Sequence, residues 1–360
     1  MMTDYYALFE AFTRRNGFKW VERSNLVSKY FKNEFNLSGG HSYLVPAVLN
    51  HNKVEREVIS VIDLCIRKVD AQIVGHSLEH LLLFEMGVWG AFGYIEDKKE
   101  EEFKQMSLLM EFLAECGISR QDLYVTVCGG GQYLDRYMES DTDSVEIFRS
   151  LGFEDCQIIH TSGRRNFMLS RGIDRLAGYN VEFFVKRNDR FIEIASSNIY
   201  QFINKLTYLE ETTNMGIGCG VGMERIECIA EHLDSTYDLP FYKSIIGGIK
   251  TIMNLSDNSE LIIRDKLIRI IELSKTLIFL LNDKQYCDHT AQGKIMNSYF
   301  AKVTSEIDYL SLPYESFSLL LRKEIEKKYE RYSISEDAFS IFQDRISHLL
   351  NKRNNGTFAL

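Results

Sequence analysis

The feature that most constrains this chain is a change of texture near Asn254. Before it, glycines punctuate short runs rich in β-branched and aromatic residues; after it come long stretches with apolar residues at helical spacing and few glycines. Strands and turns followed by helices imply two parts, a sheet-bearing domain over 1–250 and a helical domain over 251–360. In the first part, Tyr5–Phe12 reads as an amphipathic helix stopped near Gly17, and Tyr43–Leu49 as either strand or helix start. Ile59–Lys68 and His80–Met86 read as strands, with Gly87, Gly90 and Gly93 loosening the chain after the second. Glu100–Cys116 is a helix with Phe103, Met106, Leu109, Met110 and Leu113 on one side. Leu123–Cys128 is a strand and Asp143–Leu151 a helix. Val181–Lys186 and Arg190–Ala195 form a hairpin about a turn at Asn188-Asp189, and Met223–Leu233 is a helix after a Gly-rich turn. Beyond the change, Ser256–Asn282, Pro313–Tyr332 and Ser335–Asn354 carry helix caps and helical periodicity.

Composition narrows the class. With 45% hydrophobic residues, 26% charged and 12% aromatic, the chain buries a large core and is not disordered. No apolar run nears the ~20 residues of a membrane helix, so no membrane partner is expected, and Met1–Tyr6 lacks the pattern of a secretory signal. Seven Cys without a CxxC pair fit a reducing cytoplasm and no zinc site. His76 and His80 are four apart on an expected strand, which separates them. A net charge of -9 argues against gripping long nucleic acid.

The chemistry lies in three separated pieces. Cys65-Ile66-Arg67 is followed by Val74-Gly75, Glu79-His80 and Phe84-Glu85-Met86. Phe191-Ile192-Glu193-Ile194 runs into Ser196-Ser197-Asn198 and Gln201-Phe202. Gly220-Val221-Gly222-Met223-Glu224-Arg225 leads into Tyr237-Asp238. An arginine on a strand offers a planar fork to phosphate, and Phe84 a flat surface for a base. Gly220 and Gly222 let backbone approach a ligand closely, while Glu193 and Glu182 on the hairpin could share a Mg2+ with phosphate oxygens. Taken singly, each has a plainer role: a surface or ion-paired arginine, a core phenylalanine, a surface glutamate, a common Gly-rich turn. Their joint order carries the argument.

In that order the pieces resemble the catalytic domain of alanyl-tRNA synthetase, a class II aminoacyl-tRNA synthetase, over roughly residues 5 to 290. The resemblance implies an α+β fold, an antiparallel sheet flanked by helices and followed by a helical domain. It implies ATP and Mg2+ as cofactors and attack of a carboxylate on the α-phosphate. By it, Arg67 contacts the α-phosphate and the substrate carboxylate, Phe84 stacks on adenine with Glu85 beside it, and Arg225 lies on the nucleotide's other side. Gly220 and Gly222 border the nucleotide, and Glu193 falls where an acidic Mg2+ ligand is placed.

The amino-acid half departs from the family. The Asp that binds the substrate ammonium is Gly218 here, Trp-Asn becomes Ala195-Ser196, a pocket Val becomes Asn198, and a pocket Trp becomes Leu169, near a rebuilt Arg171–Arg175 segment. The arginines expected in the helical domain are replaced around Asp288–Ser298, which weakens tRNA as acceptor. The editing domain and its zinc-binding His/Cys set are not expected in this chain. The expectation is a cytoplasmic, adenylate-forming ligase for an amino acid or related carboxylate other than plain alanine, passing the acyl group to a tRNA, a carrier protein or a small amine. Two alternatives stay open: an alanine–tRNA ligase proper, and a catalytically silent synthetase-like module that binds a nucleotide or a partner.

Overall fold

Val181, Phe183 and Val185 alternate with Glu182 and Phe184, and that period of two builds the centre of the fold. The computed structural model describes residues 3–354 apart from 29, 31–33, 77–78, 163–164, 171 and 188. Asn188 of the expected turn and Arg171 therefore lie outside the described residues. The chain divides into two units: residues 1–24, 38–64 and 85–231 form the first, and 25–37, 65–84 and 232–360 the second.

The strands are β1 (Lys19–Trp20), β2 (Glu57–Ile66), β3 (Leu83–Gly93), β4 (Leu123–Cys128), β5 (Gly131–Tyr133), β6 (Arg136–Met138), β7 (Ile158–Thr161), β8 (Phe167–Leu169), β9 (Arg175–Arg187), β10 (Arg190–Asn204) and β11 (Leu209–Gly222). Among the described residues nine of them form one sheet in the order β1-β2-β3-β11-β10-β9-β4-β7, with β8 also on β9. β3, β11, β10, β9 and β4 pair antiparallel in succession. β1 with β2 and β4 with β7 are parallel.

The first unit's helices are α1 (Tyr5–Arg15), α2 (His41–Val48), α3 (Lys98–Glu115), α4 (Thr142–Ser150) and α5 (Met223–Ala230). Four of them, α1, α3, α4 and α5, cover one face of the sheet. Phe9, Phe12, Phe112, Phe148 and Ile226 meet Trp89, Val181, Phe183, Ala195, Cys219 and Val221 in one buried cluster. Trp89 is its hub, with ring centroids 5.5, 5.9 and 5.8 Å from Phe9, Phe12 and Phe112. The second unit carries α6 (Pro240–Met253), α7 (Asp257–Asn282), α8 (Ala291–Leu310), α9 (Tyr314–Lys328) and α10 (Glu336–Asn354). The fold is α+β, as the resemblance implied. No helix among the described residues is long and apolar enough to cross a membrane.

Several local expectations are corrected. Of the two readings of Tyr43–Leu49 the helical one holds, with Tyr43–Val48 in α2 and Leu49 capping it. Gly87, Gly90 and Gly93 do not loosen the chain after a strand; they lie inside β3, which begins at Leu83 rather than His80. The Gly-rich stretch before Met223 is not a turn but the end of the 14-residue strand β11. Phe103 faces outward, 42% exposed, because α3 buries its Glu101, Glu102 and Gln105 edge instead.

That edge has a pH consequence. Ser144 Oγ lies 2.6 Å from Glu102 Oε1 and 2.7 Å from Asp141 Oδ2. One hydroxyl cannot donate to both, so the arrangement favours a proton on one carboxyl. Burial, with Asp141 adding repulsion, raises the Glu102 pKa to about 7. A carboxyl raised on folding stabilises the fold at low pH, and that contribution is lost as pH rises through about 7. Urea denaturation should therefore show lower stability at pH 8.5 than at pH 5, on the order of 2–3 kcal/mol from this group. Glu102→Gln should flatten the difference; an unchanged profile would contradict the assignment.

Candidate functional site

The sheet face left bare by α1, α3, α4 and α5 is defined by phase. On β11, Gly216, Gly218, Gly220 and Gly222 fall at every second position, with Ile217, Cys219 and Val221 buried between them. Across β3, Gly222 pairs with Met86, Gly220 with Val88, Gly218 with Gly90 and Gly216 with Phe92. Across β10, Gly220 pairs with Ser196, Gly218 with Asn198 and Gly216 with Tyr200. Partners across a ladder share a face, so these side chains stand around a strip of bare backbone.

A bulge sets what else faces the strip. Glu193 pairs with Phe184 and Ala195 with Phe183, leaving Ile194 as an extra residue. Ile192, Ile194 and Ala195 all enter the core, so Glu193 and Ser196 share the open face despite their odd separation. Glu182 pairs with Ser196 on that face. Burial, then repulsion from Glu193, raises the Glu182 pKa, while Arg165 at 3.7 Å opposes the shift.

Each glycine does something different. A Cβ at Gly222 would lie 3.7 Å from the Cβ, Cγ and Cδ of Arg225, so that side chain lies over this end of the strip. Arg225 Nη1 donates to the Glu193 carbonyl at 2.9 Å and lies 3.4 Å from its Oε2. A Cβ at Gly220 would sit 3.5 Å from Met86 Sδ and 3.8 Å from Ser196 Oγ, in ordinary contact. At Gly218 it would run into Trp89 O at 2.6 Å and Gly90 Cα at 2.9 Å. At Gly216 it would strike Leu44 of α2, which closes that end.

Between α2 and the strip lies a cavity of about 60 Å3, bordered by residues of Ser38–His41, Leu44, Met86, Val88, Phe92, Ser196, Asn198, Tyr200, Gly218 and Gly220 among others. The loop entering α2 is fixed from beneath by buried Asp63, which accepts from Gly40 N at 2.8 Å and Ser24 N at 2.6 Å. His41 stands 3.5 Å from the Tyr200 hydroxyl. Burial, aided by the Arg175 cation, lowers its pKa to about 4, so the ring is neutral near pH 7.

The structure thus brings Gly218, Gly220, Ser196 and Asn198 together around one cavity, with Gly222, Arg225 and Glu193 farther along the same face. Leu169 does not border the cavity: it pairs with Ala177 and packs on a second cluster around Phe167 and Tyr133. Glu85 points to the opposite face, 1% exposed. Its carboxylate accepts from the Tyr6 hydroxyl at 2.7 Å, and its backbone N–H donates to Glu224 at 3.1 Å. In the second unit, the Arg67 guanidinium lies 5.1 Å from the centre of the Phe84 ring. Arg67 follows β2 directly, and its N–H donates to Leu82 O at 3.1 Å. His76 and His80 are not on a strand; His76 sits in a turn against Asp265 at 3.0 Å.

Sequence reasoning missed His41, Leu44, Val88, Gly90 and Tyr200 as lining residues and Glu224 as the clamp on β3. The period-two glycines of β11 were the available signal. No group of three or more metal-ligating side chains occurs among the described residues. Magnesium commonly takes one or two carboxylates and completes its shell with water and substrate phosphate, so Glu182 and Glu193 suffice as a donor pair.

Comparison with known proteins identifies the family. The family described as tRNA synthetases class II (A) matches residues 7–333. The alanine–tRNA ligase of Borrelia hermsii is 28% identical over 274 residues, 68% of this chain and 43% of the relative. That of Caldicellulosiruptor saccharolyticus is 24% identical over 308 residues, 80% of this chain and 33% of the relative. The chain thus spans less than half the length of these relatives. The apo histidyl-tRNA synthetase of S. aureus superposes with a TM-score of 0.42 at 11% identity, over 64% of this chain and 66% of that one. With the family matched over nearly the whole sequence, this chain belongs to the class II (A) tRNA synthetases.

Proposed function

We propose that the protein is an ATP-dependent ligase that activates a small carboxylic acid as its acyl-adenylate. A carboxylate oxygen attacks the α-phosphorus of ATP, forming a new O–P bond. The bond from that phosphorus to the bridging oxygen breaks, and pyrophosphate leaves with the electron pair. The observation that carries this reading is the strip from Gly222 to Gly216. It has a cation at one end, polar Ser196 and Asn198 along its side, and a mainly apolar pocket under α2 at the other.

Successive glycines of the strip are about 6.6 Å apart. An extended ligand can therefore lie directly on backbone, with its acyl end in the pocket under α2 and its more distant, nucleotide part toward Arg225. Arg225 neutralises nucleotide charge at the Gly222 end of the strip, and its bonds to Glu193 fix its direction beforehand. No protein nucleophile is required, because positioning and charge neutralisation carry such a transfer. Glu182 and Glu193 would hold Mg2+, which supplies charge neutralisation at the phosphates when bound. Gly220 and Gly222 leave room for the ligand. The roles of Arg67 and Phe84 toward phosphate and adenine rest on the family resemblance and on their own stacked pairing; a cytoplasmic setting rests on seven cysteines without a CxxC pair. A tRNA, a carrier protein or a small amine would accept the acyl group.

Exchange of labelled pyrophosphate into ATP, run against a panel of amino acids and other small carboxylic acids, tests the activity. Exchange should require an acid and should fall about 100-fold in Arg225→Ala. A folded protein that exchanges with no acid contradicts the proposal. The second reading, alanine–tRNA ligation, is favoured by the names of the relatives; alanylation of total tRNA by the purified protein would establish it.

A further inference from the structure

We propose that the cavity under α2 selects a small 2-hydroxy acid, with the substrate hydroxyl donating to Asn198 Oδ1, and excludes the ammonium of an amino acid. The proposal rests on the adenylate-forming reading and names the class of acid. Among the described residues that border the cavity there is no Asp, Glu, Lys or Arg. Its polar side chains toward the open face are those of Ser38, His41, Ser196, Asn198 and Tyr200. Asn198 Nδ2 donates to Ser196 Oγ at 3.3 Å, whereas Asn198 Oδ1 is buried and has no partner among the described residues. A buried acceptor without a partner costs free energy until a donor reaches it.

One unfilled acceptor matches one hydroxyl. An ammonium brings three donors and a full charge, and burying it beside Val88, Phe92 and Leu44 without a carboxylate is far more costly. The surrounding charges reinforce this. The Arg175 cation is close enough to lower the pKa of His41, so it repels a second cation there. Nearby carboxylates are engaged elsewhere. Asp63 accepts from the N–H groups of Ser24 and Gly40. Asp174 pairs with Lys205 at 2.7 Å, and Glu182 lies near Thr126 and Arg165 at 3.4 and 3.7 Å. The bare floor at Gly218 and Gly90 leaves no room for a side chain that could restore an anion at that point.

Pyrophosphate exchange with matched pairs tests this: L-lactate against L-alanine, 2-hydroxybutyrate against 2-aminobutyrate, and propionate as the acid lacking either group. The hydroxy acid should exceed its amino partner in kcat/KM by about 30-fold, and lactate should exceed propionate about tenfold. Asn198→Asp, checked for folding by circular dichroism, should move the lactate-to-alanine ratio at least tenfold toward alanine. Exchange favouring the amino acid in each pair, or propionate matching lactate, overturns the hydroxy-acid assignment and leaves adenylate formation standing. No exchange with any of the five acids or with the wider panel overturns both.

Discussion

Gly218→Asp should not yield a stably folded protein, although it supplies the carboxylate that the family resemblance implies at this position. The reason is local. Gly218 pairs with Gly90, and the two backbones approach so closely that an added Cβ at Gly218 meets Trp89 O at 2.6 Å. The obstacle is backbone in the centre of the sheet, so no side chain can swing aside. Overpacking of this kind costs about 1–3 kcal/mol for a methyl group, occasionally more. A carboxylate held there without a cation adds several kcal/mol of desolvation. Together these approach the ~5–15 kcal/mol that holds a typical domain folded. Gly218→Ala should lower the urea midpoint by about 3 kcal/mol equivalent, and Gly218→Asp should be aggregated or largely unfolded. Gly220→Ala is the control. Its Cβ would make only ordinary contacts, with Met86 Sδ at 3.5 Å and Ser196 Oγ at 3.8 Å, so stability should change by less than about 1 kcal/mol while the narrowed strip lowers exchange. A folded Gly218→Asp variant with alanine-dependent exchange would refute the packing argument.

Removing the Lys275 cation should cost about 3–5 kcal/mol of stability. In the second unit, Lys275 and Glu272 are both fully buried on α7, 2.5 Å apart. Lys275 Nζ also donates to Leu83 O at 3.0 Å and lies 2.9 Å from the Tyr242 hydroxyl. Glu272 accepts from Leu82 N at 2.7 Å and from Tyr242 at 2.5 Å. Burial and the Glu272 charge hold the Tyr242 pKa well above its ordinary value, so it remains a donor. The pair thus clamps the backbone of Leu82 and Leu83, immediately before Phe84. Lys275→Ala leaves a buried carboxylate with one neutral partner and one backbone N–H. Glu272→Gln combined with Lys275→Met removes both charges but keeps an acceptor for Leu82, and should recover at least half the loss. Urea titrations of the three proteins at matched slopes measure this; equal losses in the single and double variants would show that charge pairing is not the cause.

How much of this was legible in the sequence depends on which physical signal a segment carries. The β9–β10 hairpin announced itself because Val181, Phe183 and Val185 bury on one side only. The pieces around Arg67, Glu193 and Arg225 were visible as motifs, but the phase change at Ile194 was not, since a bulge leaves no compositional mark. β11 was misread because glycine weakens a strand and usually marks a turn. There the glycines exist for approach: β3 comes close at Gly218, α2 at Gly216, and the ligand face stays bare at Gly220. Their spacing of two, with Ile217, Cys219 and Val221 between them, is a strand signal that composition concealed. His41 and Leu44 could not be assigned to the site because their position depends on the Asp63 anchor, 22 residues from His41 along the chain. Glu85 shows the opposite error: it adjoins motif residues, yet strand alternation turns it into the core.

The central claim is that a carboxylate oxygen becomes bonded to the α-phosphorus of ATP on this glycine strip. The most direct measurement uses the acid giving the fastest exchange, labelled with 18O in its carboxylate, with hydroxylamine as acceptor. Adenylate formation predicts hydroxamate and AMP in equal amounts, with one 18O in the AMP phosphate. Label in inorganic phosphate accompanied by ADP, or AMP without label, would contradict it.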